Sequence, residues 1–100
     1  MHFETEFEWD PAKADSNSRK HGVTFSEAAS VFYDPNALTT SDRRHAEVEQ
    51  RYATFGLSSR GRLLAVMHTD RGRFIRIFSA RKATNSENRQ YEERRQNFSS

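Results

Sequence analysis

The chain contains no cysteine. This absence excludes disulfide bonds, cysteine-ligated zinc sites and thiol catalysis, and it is typical of a protein from a reducing compartment. Leu, Ile, Val and Phe together make up only 18 of the 100 residues, and the mean hydropathy is −0.98. Such a composition borders on that of disordered chains. Eight Phe, three Tyr and one Trp, with a formal net charge of only +2, nevertheless favour a folded domain with a small core.

Long apolar runs are also absent. No segment approaches the roughly 18 apolar residues of a membrane-spanning helix, and the opening MHFETEFEWD does not resemble a signal peptide. No internal repeat or low-complexity linker interrupts the chain. We therefore expect one domain over residues 1–100, with a flexible tail at 96–100, acting in the cytoplasm.

Charge is distributed unevenly along the chain. Residues 1–50 carry 5 Lys or Arg against 10 Asp or Glu, whereas residues 51–100 carry 11 against 4. A basic half in a small domain indicates a polyanionic partner such as nucleic acid. The alternative is that the two halves pair their charges within the fold.

The beginning of the chain predicts a strand followed by a helix. Apolar residues alternate with glutamates between Phe3 and Trp9, which is typical of a strand with one solvated face. Asp10-Pro11 then has the composition of a helix start, and Gly22 that of a helix stop, so the helix is predicted to end at about His21.

A second helix and further strands are predicted downstream. Thr24 and Glu27 form a capping-box pattern, which begins a helix that ends at Asp34-Pro35. Residues 37–46 form a loop or a short strand. Three extended segments are predicted next: 47–57, 63–68 and 74–80.

A last helix completes the predicted order. Thr84 and Glu87 repeat the capping-box pattern, and the helix they begin is predicted to end at about residue 95. The order β-α-α-β-β-β-α predicts an α+β fold with an antiparallel sheet, two N-terminal helices and a C-terminal helix.

The stretch from Arg60 to Lys82 combines apolar strand residues with seven basic side chains and a single acidic one. This pattern indicates a positive face supported by rigid sheet. Arg76 lies in mid-strand, and Arg81-Lys82 follows the last strand, just ahead of a helix N-terminus. Guanidinium groups suit bidentate phosphate contacts. The alternative for Arg81-Lys82 is an ordinary solvated turn.

His45, Glu49 and Arg51 form a second cluster. If residues 47–57 are extended, Glu49 and Arg51 share a face. If residues 42–50 are helical instead, His45 and Glu49 meet at i, i+4. Glu49 is then a candidate general base and His45 a candidate for proton transfer near neutral pH. The alternative is a surface ion pair. No third ligand has a spacing typical of a metal site, so we expect neither a metal nor another cofactor.

Three other residues each allow two interpretations. Lys20 closes the first helix, where a cation complements the helix dipole, or it contacts phosphate. Tyr91 anchors the last helix or stacks on a base. His68 alternates with apolar residues and is interpreted as a hydrogen-bonded core residue rather than a functional one.

Several segments of the chain are distinctive when they are taken together. They are F-E-W-D-P-A-K-A with Asn17, K-H-G-V-T-F-S-E-A-A-S-V-F-Y-D-P, the set Asp42, His45, Glu49 and Arg51, G-L-S-S-R-G-R-L-L-A-V, and R-I-F-S-A-R-K-A-T with Glu87 and Tyr91-Glu92. From about Phe7 to Glu92 the chain thereby resembles the BrnT family of bacterial toxins. Isoleucine often stands in the family pattern where this chain has Phe78, which we interpret as a substitution in the core.

The resemblance implies a RelE-like fold and a ribonuclease toxin of a type II toxin–antitoxin pair, which inhibits translation and growth. It implies a hetero-oligomer with an antitoxin similar to BrnA, a ribbon-helix-helix protein through which the pair binds its own promoter. It supports His45, Glu49, Arg51, Arg76 and Arg81 as catalytic residues. It also supports three residues as RNA- or phosphate-binding: Lys20, Lys82 and Tyr91.

We therefore expect a metal-independent endoribonuclease in which Arg76, Arg81 and Glu49 converge over one patch and grip a single sugar–phosphate linkage. Two other functions stay open on the sequence. One is a non-catalytic nucleic-acid-binding or co-repressor module, which binds in a salt-dependent way without cleaving a strand. The other is a structural partner that does not contact nucleic acid.

Overall fold

The computed structural model describes residues 6–42 and 50–99. A 3₁₀ turn at Val31–Tyr33 follows the second helix. Within the described ranges, no helix has both the length and the apolar character needed to cross a membrane. The helices and strands are β1 (Glu6–Glu8), α1 (Pro11–His21), α2 (Phe25–Ser30), β2 (Leu38–Asp42), β3 (Arg51–Leu57), β4 (Leu63–Arg71), β5 (Phe74–Lys82) and α3 (Asn85–Ser99).

Local signals set both ends of α1. The side chain of Asp10 accepts a hydrogen bond from the backbone N–H of Ala12 at 2.9 Å, and Pro11 occupies the first turn, where its missing N–H is not needed. Gly22 ends the helix at a φ of 67°, a left-handed conformation that glycine adopts without steric cost. The predicted bounds of this helix are confirmed.

The start of α2 also follows the prediction. The hydroxyl of Thr24 accepts a hydrogen bond from the backbone N–H of Glu27 at 3.0 Å. Phe25 and Ala28 are buried on one face of the helix. The regular helix ends at Ser30 and tightens into the 3₁₀ turn before Asp34, so the predicted helical segment is divided in two.

The five strands form one mixed sheet in the order β1-β5-β4-β3-β2. The pairs β2–β3, β3–β4 and β4–β5 are antiparallel, as predicted, whereas β1 lies parallel to β5. The segment that the sequence left open between loop and strand forms β2 at one edge. The parallel pair was not predicted because it joins two strands that are distant in the chain, and local patterns report only on near neighbours.

One extra residue in β5 changes which side chains share a face of the sheet. The register of β4 and β5 shifts between Met67 and His68, and Phe78 is left without a register partner. Such a bulge reverses the alternation of side chains within its own strand. Arg76 and Arg81 would otherwise point to opposite faces, and the bulge places both on the same one.

The core lies between the sheet and the two N-terminal helices. Phe7 and Trp9 pack against it from β1 and the residue after it, as their alternation with glutamates predicted. The face of the sheet that these helices cover is called the helix face below. The buried core residues are Val23, Phe25, Ala28, Val31, Leu64, Val66, Ile77 and Ala80.

Asn17 fastens α1 to β5. Its side-chain amide donates to the carbonyl oxygen of Ala80 at 2.8 Å and to that of Val23 at 3.0 Å. Its side-chain oxygen accepts a hydrogen bond from the backbone N–H of Ala80 at 3.1 Å. The pairing of β5 with β1 ends at Arg76, so this amide takes the place of a strand partner on the outer edge of β5.

A second polar cluster joins α2 to the turn between β3 and β4. The buried carboxylate of Glu27 accepts hydrogen bonds from Nε of Arg62 at 2.9 Å and from Oγ of Ser58 at 2.7 Å, and it pairs with Nη2 of Arg62. Hydrogen bonding to Arg62 lowers the pKa of Glu27 below its ordinary value, in opposition to burial. Nη1 of Arg60 lies 3.8 Å from the same carboxylate. Two basic residues of the arginine-rich stretch therefore compensate a buried acid.

The C-terminal helix α3 crosses one end of the face opposite the helix face. Leu38, Phe55, Ala65 and Arg81 occupy one row of register partners across four strands. Arg81 of β5 binds Glu87 of α3, and Leu38 of β2 lines a cleft together with four residues of α3. The helix therefore covers this row from one side to the other.

Tyr91 anchors α3 to the rest of the fold. Its side chain is 1% exposed, and its hydroxyl donates to Oδ2 of Asp34 at 2.5 Å. The same oxygen accepts the backbone N–H of Leu57 at 2.8 Å. Burial and the Asp34 carboxylate raise the pKa of Tyr91 to about 12. The helix extends to Ser99, past the predicted end near residue 95 and into the predicted tail.

A chain of hydrogen bonds links four polar side chains across the sheet. Oγ1 of Thr39 lies 2.8 Å from Oγ1 of Thr54, which lies 2.7 Å from Nε2 of His68. Nδ1 of His68 lies 2.8 Å from Oδ1 of Asp70. His68 is 1% exposed, and its ring packs edge-on against Phe32. The prediction of a hydrogen-bonded core histidine is confirmed.

Acidification should weaken the fold through His68. Burial, partly offset by Asp70, lowers the pKa of His68 below its ordinary value of about 6.5. As the pH falls below about 6.5, His68 takes up a proton in the unfolded chain before it does so in the folded protein. The free energy of unfolding therefore decreases as the pH falls below that value. Urea unfolding at about pH 7.5 and about pH 5.5 should show the loss, at a slope of at most about 1.4 kcal/mol per pH unit for this group.

The variant His68→Gln is the control for this measurement, because it keeps polar atoms at the position and removes the titrating ring. Its free energy of unfolding should depend less steeply on pH than that of the wild type. Equal slopes for the two proteins would contradict the assignment to His68.

Removal of the Tyr91 hydroxyl should destabilise the protein. The variant Tyr91→Phe leaves the ring in place but takes one donor from the partly buried Asp34 carboxylate, at an expected cost of about 2 kcal/mol for a hydrogen bond to a charged group. Tyr33→Phe is a matched control, since Tyr33 is 74% exposed. Denaturant unfolding should distinguish the two variants, and equal stabilities would show that the hydroxyl of Tyr91 does not anchor α3.

Candidate functional site

Two arginines and a buried hydroxyl lie together on the face opposite the helix face. Thr69 and Arg76 are register partners on β4 and β5. Arg51 precedes Tyr52, whose register partner His68 points into the core, so Arg51 and Thr69 both point away from the helix face. We call Arg51, Thr69 and Arg76 the arginine patch.

Arg51 is held mainly by an aromatic ring. Its Cζ lies 4.3 Å from the centroid of the Phe78 ring, a favourable distance for a cation–π contact. Its Nε is buried and has no hydrogen-bond partner. Among the side chains that the structure describes, which do not include those of residues 42–49, no carboxylate forms an ion pair with this guanidinium. Within that set, the ring of Phe78 is the contact that positions Arg51.

Arg76 is only loosely paired. Its Nη1 lies 3.8 Å from Oε1 of Glu8, and about a third of each side chain is exposed to solvent. Such a long, partly solvated ion pair contributes little to stability, so an incoming anion can replace the carboxylate at small cost.

Thr69 lies between these two arginines. Its Oγ1 is buried, the residue is 1% exposed, and the hydroxyl has no hydrogen-bond partner among the residues that the structure describes. An unsatisfied buried hydroxyl costs roughly 1–3 kcal/mol. A ligand that supplied a donor or acceptor at this position would recover part of that free energy, so the arginine patch is suited to binding a polar anion.

Arg81 lies on the same face but outside the arginine patch. Its register partner Ala65 is four residues from Thr69 along β4, which separates Arg81 from Arg76 by about 13 Å. Nη1 and Nη2 of Arg81 bind the two carboxylate oxygens of Glu87 at 2.8 and 2.9 Å. These bonds raise the pKa of Arg81 and lower that of Glu87. Arg76 and Arg81 therefore share a face of the sheet but lie in different rows of it, and their predicted convergence on a single sugar–phosphate linkage stays a prediction.

The three predicted RNA- or phosphate-binding residues are dispersed. Lys82 is exposed at the end of β5, and its register partner Leu64 places it on the helix face. Lys20 is exposed on α1 and lines a cleft between α1 and β5. Tyr91 is buried beneath α3, so its ring is not presented to a base, and the structure favours the anchor interpretation.

His45 and Glu49 lie outside the described residues, so their predicted roles stay predictions. The chain on either side of them is described. Asp42 and Arg51 are register partners at the ends of β2 and β3, so the segment that carries His45 and Glu49 starts and finishes next to the arginine patch. Within residues 6–42 and 50–99, no three His, Asp or Glu side chains are grouped as metal ligands.

Sequence reasoning did not identify Thr69 or Phe78 as part of this region. Phe78 was interpreted as a core residue, but it is absent from the buried core and lies half-buried between Arg51 and Lys13. A bulge leaves no periodic signal, so the exchange of faces was not visible in the sequence. One signal was available: Lys13 and Lys20, seven residues apart on a helix with little apolar surface, predict a basic stripe.

Comparison with known proteins identifies the family of this chain and supports its fold. The model of a family described as "Ribonuclease toxin, BrnT, of type II toxin-antitoxin system" matches residues 9–87. The chain is also similar to the 1.1 Å crystal structure of the Brucella abortus ribonuclease toxin BrnT, with a TM-score of 0.63 and 20% identity over 81% of this chain and 99% of that one. At that identity the structural likeness supports the fold alone.

No curated protein sequence matches the chain. The family match nevertheless spans most of the sequence, including the segments on which the resemblance was based except for Phe7-Glu8 and Tyr91-Glu92. It also covers α1, α2, the four strands β2 to β5 and the start of α3. The α+β fold and the family predicted from the sequence are both confirmed, and the chain belongs to the BrnT family of ribonuclease toxins of type II toxin–antitoxin systems.

Proposed function

We propose that this protein is an endoribonuclease whose arginine patch binds the phosphate at which RNA is cleaved. The observation that carries the proposal is the position of Arg51 and Arg76 on either side of the unpartnered hydroxyl of Thr69. Two lightly held guanidinium groups and an unsatisfied hydroxyl suit the oxygens of one phosphate. Membership in a family of ribonuclease toxins supports the choice of RNA as the substrate.

RNA provides its own nucleophile for this reaction. The 2′-hydroxyl oxygen bonds to the adjacent phosphorus as the bond between phosphorus and O5′ breaks, which leaves a 2′,3′-cyclic phosphate and a free 5′-hydroxyl. A base removes the proton from the 2′-hydroxyl, and an acid delivers one to O5′. Cations stabilise the negative charge that grows on the nonbridging oxygens.

In this scheme the arginine patch supplies the cations that stabilise the negative charge on the phosphate. Arg51 and Arg76 would each donate to nonbridging oxygens, and the hydroxyl of Thr69 would bind one of them. We assign the proton transfers to Glu49 and His45, which the sequence places within the segment that joins Asp42 to Arg51. Because the guanidinium groups stabilise the developing charge, the scheme requires no metal ion.

Other basic residues are assigned to the RNA backbone on either side of the cleaved linkage. Arg81 lies about 13 Å from Arg76 along the strand, so it would contact a more distant phosphate after releasing Glu87. Lys82 and Lys20 are exposed and extend the positive surface around β5.

Loss of an arginine from the patch should impair cleavage. In a buffer containing EDTA, Arg76→Ala and Arg51→Ala should each lower kcat/KM by on the order of 10²–10³, because each removes a donor that stabilises transition-state charge. Arg81→Ala should have a smaller effect, since Arg81 is outside the patch. The measurement is the cleavage rate of a labelled single-stranded RNA, with product termini identified by mass spectrometry.

Arg19→Ala is the matched control, because Arg19 is exposed on α1 and paired with Asp15. It should cleave RNA at the wild-type rate. Unchanged cleavage by Arg76→Ala would refute the role of the patch. Loss of wild-type cleavage in EDTA would refute metal independence, and binding of RNA without cleavage would favour a non-catalytic module.

As a toxin of a type II system, the protein has an antitoxin partner. We propose that this partner is a BrnA-like ribbon-helix-helix protein, that the two form a hetero-oligomer in the cytoplasm, and that operator DNA is bound through the antitoxin. Free toxin would inhibit translation by cleaving RNA. Expression of the toxin alone should arrest growth, and coexpression of the adjacent reading frame should restore it. Growth arrest that such a partner fails to relieve would contradict the pairing.

A further inference from the structure

A narrow cleft separates α1 from the outer edge of β5. The pairing of β1 with β5 ends at Arg76, so beyond this point α1, not a strand, lies alongside β5. The cleft has a volume of about 190 Å³, which is smaller than the sites of drug-sized ligands and suits a fragment such as one nucleobase. Its lining residues are Lys13, Ser16, Asn17, Lys20, His21, Phe78 and Ser79.

The helical wall of this cleft is polar and basic. Lys13, Ser16, Asn17 and Lys20 follow one another at i, i+3, i+4 and i+7, so they share one face of α1. Asn17 is fully used in binding the backbone at Ala80 and Val23. These contacts hold this face of α1 against β5, with one lysine on each side of Asn17 along the helix.

The strand wall of the cleft carries an aromatic ring. Phe78 is the residue that the bulge inserts into β5, and its ring is only partly buried. Nζ of Lys13 lies 5.4 Å from the ring centroid, and Cζ of Arg51 lies 4.3 Å from it. The ring thus joins the cleft to the arginine patch.

The charge of the cleft favours an anion. Among the described residues that line it, none has a carboxylate, whereas Lys13 and Lys20 both carry a positive charge. A nucleotide combines the two features that this arrangement complements, namely a flat ring and a phosphate. Aromatic rings interleaved with basic side chains are the usual means by which proteins bind single-stranded nucleic acid.

We propose that this cleft binds a nucleotide of the RNA next to the cleaved linkage, with the base replacing the Lys13 ammonium over the ring of Phe78 and its phosphate bound by Lys13 and Lys20. The proposal rests on the arginine patch as the site of cleavage, because the ring of Phe78 contacts Arg51. A base enters such a cleft only when it is unpaired. The subsite therefore makes the substrate single-stranded at this nucleotide.

Fluorescence of 2-aminopurine tests the stacking directly. A set of short RNAs with 2′-O-methyl sugars, which cannot be cleaved by 2′-hydroxyl attack, carries 2-aminopurine at each position in turn. Wild-type protein should quench the fluorescence strongly at one position. Phe78→Leu should abolish that quenching and weaken binding roughly tenfold, and Phe78→Tyr, which keeps an aromatic ring, should restore both.

Phe74→Leu is the matched control, since Phe74 is also a partly buried phenylalanine of β5 but does not line the cleft. It should leave the quenching unchanged. Lys13→Gln and Lys20→Gln alter exposed side chains and provide a second measurement. Each should reduce the salt dependence of RNA binding by about one counterion, whatever effect the changes at Phe78 have on folding.

The outcomes separate the subsite from the proposed function. If the wild type cleaves RNA while quenching and affinity are the same in Phe78→Leu, and both lysine variants keep the wild-type salt dependence, the subsite is refuted and the endoribonuclease proposal stands. If the wild type neither binds nor cleaves RNA, both proposals are refuted. Quenching that persists in Phe78→Leu but is lost in Phe74→Leu would place the base elsewhere on β5, which also refutes the subsite.

Discussion

Two hydrogen bonds between Asn17 and the backbone of Ala80 determine where α1 lies, and the cleft assigned to RNA depends on that position. An edge strand with unpaired backbone groups invites pairing with another chain, and the Asn17 amide occupies those groups at Ala80. The same contact sets α1 beside β5, which creates the cleft. A polar clamp of this kind also explains how a helix with so little apolar surface packs firmly on the sheet.

The elements that the sequence predicted correctly are those with local signals. Asp10, Thr24 and Gly22 act on backbone groups within a few residues, so the starts of α1 and α2 and the end of α1 were visible in the pattern. The parallel pairing of β1 with β5 and the bulge at Phe78 depend on contacts between distant parts of the chain. No periodicity of 2 or 3.6 residues encodes such contacts. The bulge in particular decides which arginines share a face of the sheet.

The candidate site was predicted in part for a related reason. A count of charges along the sequence shows the basic stretch but not which acidic residues form ion pairs with it. Glu27 lies far upstream of Arg62 in the sequence, yet the two side chains form an ion pair in the fold. Arg81 likewise forms an ion pair with Glu87. Arg51 and Arg76 were predicted and do come together, because strand register brings both beside Thr69. The sequence thus predicted the accumulation of basic residues better than the contacts that these residues make in the fold.

The bulge in β5 makes the number of residues in this strand more important than their identity. A deletion of one residue near Phe78 would restore strict alternation and exchange the faces of the residues that follow it in the strand, so that Arg81 would point to the helix face and Lys82 away from it. An exchange of side chains at Phe78 leaves all of them where they are. The geometry of the sheet therefore constrains the number of residues between Arg76 and Arg81. It does not constrain the identity of Phe78 in the same way.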